Sequence, residues 1–139
     1  MSLSGIKALT FDTGGTLLDW HTGFREAFAA AGQRHGIERD WSAMANDLRR
    51  RSLNAMLDLG KDGPPEYNFD QAHLFCLDAL LADEGLEAFD AADRRAIAWD
   101  APHAFRCWPD VPEGLAAIRR RHIAVSFTCL LYTSDAADE

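Results

Sequence analysis

Ile6-Lys7-Ala8-Leu9-Thr10-Phe11-Asp12-Thr13-Gly14-Gly15-Thr16-Leu17-Leu18 decides how the rest of the chain is read. A short apolar run ends in a single carboxylate, and a Gly-Gly turn with a threonine follows at once. The run is too short for a buried helix and reads as a strand covered on both faces, hence part of a parallel sheet. In open α/β sheets chemistry gathers beyond the carboxyl ends of the strands, where Asp12 would stand. The paired glycines let the backbone turn sharply while leaving the carboxylate open to a ligand. An Asx-type turn opened by Asp12 accounts for the same residues without any chemistry.

Outward from this stretch the period changes from strand to helix. Phe24, Ala27, Phe28 and Ala31 share one face, with Thr22 as the expected N-cap and Gly36 as the stop. A second helix follows Asp40, with Trp41, Met44, Ala45, Leu48, Ser52, Met56 and Leu59 in one stripe and Gly60 as its expected end. Asp62-Gly63-Pro64-Pro65 is a connection. Asn68 caps a third helix that turns Phe69, Ala72, Cys76 and Leu80 inward and ends at Gly85. Asp90 and Asp93 form a capping box for a fourth, with Phe89 as its staple and Pro102 as its end. Asp110 and Glu113 promise another capping box, and Ile123 to Thr128 reads as a second buried strand.

Composition narrows the class. The 139 residues are 47% hydrophobic and 26% charged, as in an ordinary globular domain. A formal charge of −8, with no compensating basic face, argues against nucleic-acid and anionic-membrane partners. Met1 to Gly5 carry no signal-peptide pattern. Cys76, Cys107 and Cys129 show neither paired nor metal-ligand spacing, which points to a reducing cytoplasm. The five histidines are likewise scattered, and no metal site is expected. His73 reads as a packed or boundary residue, and Trp20, Trp41, Trp99 and Trp108 as core or inter-element contacts.

The apolar strand, its Asp12, and the Gly15-Thr16 that follows resemble the first motif of the haloacid dehalogenase-like hydrolase superfamily. Leu17-Leu18-Asp19-Trp20, Tyr67-Asn68-Phe69-Asp70-Gln71-Ala72 and Trp108-Pro109-Asp110-Val111 look like its type II 2-haloacid dehalogenase branch. The resemblance implies an α/β fold: an incomplete Rossmann-like core of the first two parallel strands with an inserted four-helix cap. On that reading residues 1–16 hold the first strand and nucleophile loop, 17–104 the cap, and 105–128 the returning helix and second strand. Residues 129–139 resemble the translation of a sequencing adapter and are expected to be non-native.

The same resemblance assigns roles. Asp12 would be the nucleophile, Thr16 would hold it, and Thr128 would supply the second-motif hydroxyl. Ser126 competes with Thr128 and is ranked second, as a buried strand hydroxyl. In the superfamily's phosphatases a second aspartate two residues after the nucleophile protonates the leaving alkoxide. Gly14 cannot, and a halide leaves without a proton, so the expectation moves to carbon–halogen bonds. Arg49 matches the branch's halide-binding arginine, with Thr13 and Gly14 beside the nucleophile completing the substrate site. Periodicity places Arg49 nearer the apolar stripe than Arg51, with Arg50 almost opposite, although three solvated arginines would read the same way.

The function so implied is the N-terminal fragment of a hydrolase that cleaves 2-haloacids through an aspartyl ester. It needs no cofactor, takes a small organic acid, and belongs to a parent that would be a homodimer. A Mg²⁺-dependent phosphatase of the superfamily and a non-catalytic module on the same fold are the alternatives. The third-motif lysine and fourth-motif acids are absent from the sequence, and the chain as written is expected to be poorly stable and inactive.

Overall fold

A computed structural model describes the backbone of residues 5–62 and 68–127, and the side chains of all of these except 57–62 and 127. Strand β1, Ala8–Asp12, pairs in parallel with β2, Ile123–Phe127, in a register that sets Ala8 opposite Ile123 and Asp12 opposite Phe127. The regular elements described between them are helices joined by turns and loops. The helices are α1 Trp20–His35, α2 Trp41–Asp62, α3 Phe69–Asp83, α4 Ala91–Arg95, α5 Ala101–His103 and α6 Val111–Arg119. A π turn, Ala96–Asp100, joins α4 to α5 as one rod. This is the α/β arrangement expected, with four helical stretches between the strands and a fifth leading into β2.

The core lies among the helices. Phe24, Phe28 and Ala31 of α1 meet Met44, Ala45 and Leu48 of α2, Leu77, Leu80 and Leu81 of α3, and Ile97 of the π turn, all buried. Asp93 fastens the far end. Its buried carboxylate accepts from Arg34 Nε at 2.9 Å, from Arg34 Nη2, from His35 Nε2 at 2.6 Å and from its own helix's Asp90 N–H at 3.0 Å. Burial pushes its pKa up, but these donors outweigh burial and hold it below the usual carboxylate value. The Asp90–Asp93 capping box is therefore formed, and it also ties α4 to the end of α1.

Several local expectations change. Asp19, not Thr22, caps α1, because its carboxylate reaches back to accept from the Thr22 N–H at 3.0 Å. Helix α2 runs past Gly60 to Asp62, since one glycine costs a helix only about 1 kcal/mol. Pro102 lies inside α5 rather than closing the helix; the preceding π turn changes the hydrogen-bond ladder where a proline would otherwise clash. Asp110 makes no side-chain cap bond. Its backbone is already helical, and Pro112 at the second helical position has no N–H to offer. The strands are not covered on both faces: β1 alternates exposed and half-buried residues, and Ile123 of β2 is 64% exposed. Of the described helices, α6 packs against β2, and two strands with one helix leave the other surfaces open. Among the described residues no helix is long and apolar enough to cross a membrane.

Gly32 shows how closely α1 and α2 approach. A Cβ there would lie 2.3 Å from Trp41 Cζ2 and 2.8 Å from the Ile37 carbonyl oxygen. A backbone oxygen and a packed indole cannot move aside cheaply, so Gly32→Ala is expected to cost about 2 kcal/mol. Gly114→Ala, with nothing within 4 Å of its Cβ on α6, should be neutral or slightly stabilising. Urea unfolding of the two variants against the wild-type chain checks the contrast.

Candidate active site

Asp12 is the last residue of β1, and the turn that follows it is built from backbone hydrogen bonds. The Leu17 and Leu18 N–H groups both donate to the Thr13 carbonyl at 3.0 Å, and the Gly15 N–H donates to the Leu18 carbonyl at 2.9 Å. Gly15 adopts φ 102°, which a side chain would resist. This flap is held from outside as well. Asp19 N–H donates to the Arg106 carbonyl at 2.8 Å and Trp108 N–H to the Leu17 carbonyl at 3.1 Å, while the Trp108 indole N–H reaches the Gly15 carbonyl at 3.0 Å. The segments that lead into and out of the helices thus run side by side and fix the turn over the sheet.

The turn brings Thr16 back onto the carboxylate, its Oγ1 donating to Asp12 Oδ2 at 2.9 Å. Thr13 and Ser126 hydroxyls lie hydrogen-bonded 2.6 Å apart across the two strands. Ser126 is exposed rather than buried, for the reason given for the strands. Thr128 lies outside the described residues.

The three consecutive arginines of α2 take different roles. Arg50 pairs with Asp47, and Arg51 pairs with Asp47 and with Asp83 at 2.7 Å. Arg49 turns toward the flap. Its guanidinium carbon stands 5.6 Å from the Trp20 ring centre and 5.2 Å from that of Phe69, within cation–π range of both. Burial lowers its pKa from the ordinary guanidinium value and the Asp12 charge opposes that fall, so the cation persists and feels the carboxylate. A Cβ on Gly14 would lie 2.9 Å from Arg49 Nη2. Asp12, Gly14, Thr16 and Arg49 are therefore gathered in one place, at the carboxyl end of β1.

Sequence reading missed Trp20 and Phe69 as members of this group. Each is the first residue of its helix, α1 and α3, and a helix that begins beside the flap delivers its first side chain to it. The start of α3 was readable from Asn68, that of α1 was expected three residues too late, and no signal in either helix gave their common destination. His73, one turn along α3 from Phe69, is buried as expected and lies edge-on to Phe24 and tilted against Phe69. Burial first, then the charges of Arg49 and His103, push its pKa down to about 3. An unfolded histidine takes its proton near 6.5, so between pH 6.5 and 3 the unfolded chain binds the extra proton. Stability from this residue is full above pH 6.5 and falls as pH drops toward 3, by at most about 1.4 kcal/mol per unit. Urea midpoints at pH 7 and pH 5 should separate less in His73→Leu than in the wild type.

Solved structures share this fold. The chain superposes on the defluorinating L-2-haloacid dehalogenase Rha0230 with a TM-score of 0.76 and 32% identity, over 86% of this chain and 49% of that one. For the L-2-haloacid dehalogenase PA0810 the TM-score is 0.74 and the identity 29%, over 91% of this chain and 55% of that one. The chain thus spans about half the length of the structures it matches. No protein-family model matches it, and a search of curated proteins finds no match. The chain has the haloacid dehalogenase-like fold, and its similarity is to L-2-haloacid dehalogenases.

Proposed function

We propose that these residues form the N-terminal half of a hydrolase acting on small 2-haloacids. The observation that carries this is the guanidinium of Arg49 lying against Gly14, beside the Asp12–Thr16 pair. In the reaction, one Asp12 oxygen attacks C2 of the substrate, and the carbon–halogen bond breaks with its electron pair leaving on the halide. Thr16 keeps Oδ2 oriented, and Arg49 with the rings of Trp20 and Phe69 receives the anion. Water then adds to the carboxyl carbon of Asp12, the ester opens at its acyl bond, and a 2-hydroxy acid and one proton are released. Asp12 returns with one oxygen taken from water. The two structures named above, at 32% and 29% identity, bear the name L-2-haloacid dehalogenase, which favours this substrate class.

A Mg²⁺-dependent phosphatase fits these residues poorly. The ion would have to share the Asp12 carboxylate with a guanidinium already acting on it, and Gly14 offers no acid to protonate an alkoxide. The test is product release by a full-length protein carrying these residues, with and without chelator. Halide release from 2-chloropropionate that chelator leaves unchanged supports the proposal; chelator-sensitive phosphate release from phosphate esters replaces it. The 139-residue chain alone, which has no lysine after Lys61, is proposed to be inactive.

A further inference from the structure

We propose that Trp108 is a positioning residue for the reaction: its indole N–H fixes the peptide from which Thr16 reaches Asp12. The inference rests on the haloacid reading of the site and adds to it a residue from the far end of the helical insertion. Two glycines stand before Thr16, and two in a row leave the backbone free to rotate. The turn uses its own N–H groups internally, those of Gly15, Leu17 and Leu18 donating to the carbonyls of Leu18 and Thr13. The Gly15 carbonyl instead accepts from the Trp108 indole at 3.0 Å, between residues 93 positions apart. That carbonyl and the Thr16 N–H belong to one planar peptide, so a donor holding the first sets the direction in which Thr16 departs. Thr16 departs toward Asp12, where its Oγ1 donates to Oδ2 at 2.9 Å.

Trp108 is itself held to the same turn. Its backbone N–H donates to the Leu17 carbonyl at 3.1 Å, and Cys107 beside it bridges Leu18 in antiparallel fashion. With its backbone anchored and only two side-chain torsions, the indole is a stiff arm. Where a Cβ would project from Gly15 stands a second indole, the Trp20 nitrogen, at 3.1 Å. Gly15 is thus bounded by one tryptophan from the limb that enters the helices and one from the limb that leaves them. Trp20 also carries the Arg49 guanidinium, while Trp108 bears on the nucleophile's partner. At 38% exposure the Trp108 ring is no part of the buried core, so its loss falls on the turn rather than on the fold. The helical insertion, by the way its returning limb docks, sets how Thr16 meets Asp12.

The test compares Trp108→Phe, which keeps a ring and loses the N–H, with Trp108→His, whose Nε2–H takes the place of the indole N–H in a five-membered ring. In the ¹⁵N-labelled 139-residue chain, amide hydrogen exchange is followed at Leu17 and Leu18 in the turn and at Leu80 in the buried core. Trp108→Phe should speed exchange at Leu17 and Leu18 by about tenfold and leave Leu80 unchanged, and Trp108→His should restore most of the protection. Unchanged exchange at Leu17 and Leu18 in Trp108→Phe overturns the proposal, as does an equal rise at Leu80 in both variants. In a full-length protein carrying these residues, Trp108→Phe should lower kcat for halide release about tenfold with KM within about twofold. In a Thr16→Val background the same change should cost less than about twofold, because the bond it positions is already gone. A full tenfold loss in that background, which a merely structural role would give, overturns the positioning role. If the wild type releases no halide while the exchange results hold, the haloacid reading fails and the latch on Thr16 stands.

Discussion

Asp12→Asn, introduced into a full-length protein carrying these residues, should lower halide release by about 10⁴-fold or more. The substitution keeps the shape of the side chain and the acceptor for Thr16 Oγ1, which lies 2.9 Å from Asp12 Oδ2. What it removes is the negative oxygen that attacks carbon. Because the shape and the Thr16 hydrogen bond are kept, the melting temperature should hardly change. Steady-state halide release together with a thermal melt separates loss of chemistry from loss of fold. Activity within tenfold of the wild type would remove Asp12 from the reaction.

Arg49→Ala comes second in size. A cation held off water and aimed at developing charge is commonly worth about 10² to 10³ in rate, and Arg49 is such a cation, held between Trp20 and Phe69. Arg49→Lys should recover only part of the loss, since an ammonium keeps the charge but not the flat stacking surface. Arg50→Ala is the control. Its side chain is turned outward and paired with Asp47, and it should leave kcat/KM unchanged. A loss in Arg50→Ala equal to that in Arg49→Ala would mean that general positive charge on α2, rather than one placed guanidinium, supports the reaction.

The strand, its carboxylate and the following turn were legible because each rests on local chemistry: an apolar run, an abrupt acid, and glycines where the backbone must reverse. Helix starts at Asn68 and Asp90 were legible for the same reason, since their side chains satisfy N–H groups two or three residues on. The periodic faces of α1, α2 and α3 also found their partners, from Phe24 to Leu80. Tertiary facts were less accessible. Asp110 carries the same capping signal as Asp90 but meets a helical backbone and a proline, so the bond is not made. Trp20 and Phe69 converge from two helices on one arginine, and no spacing within either helix reports that. Gly14 was readable as a missing acid; that the vacancy is filled by Arg49 depends on how α2 lies over the turn.

The most direct test of the account is a single turnover in H₂¹⁸O, with a full-length protein carrying these residues in excess over 2-chloropropionate. The peptide containing Asp12 and the released 2-hydroxy acid are then weighed. The account predicts one ¹⁸O in the Asp12 carboxylate and none in the new hydroxyl of the product, because that hydroxyl comes from the enzyme. Label in the product hydroxyl on the first turnover, with an unlabelled Asp12 peptide, would show that water attacks the substrate directly and would contradict the nucleophilic role of Asp12.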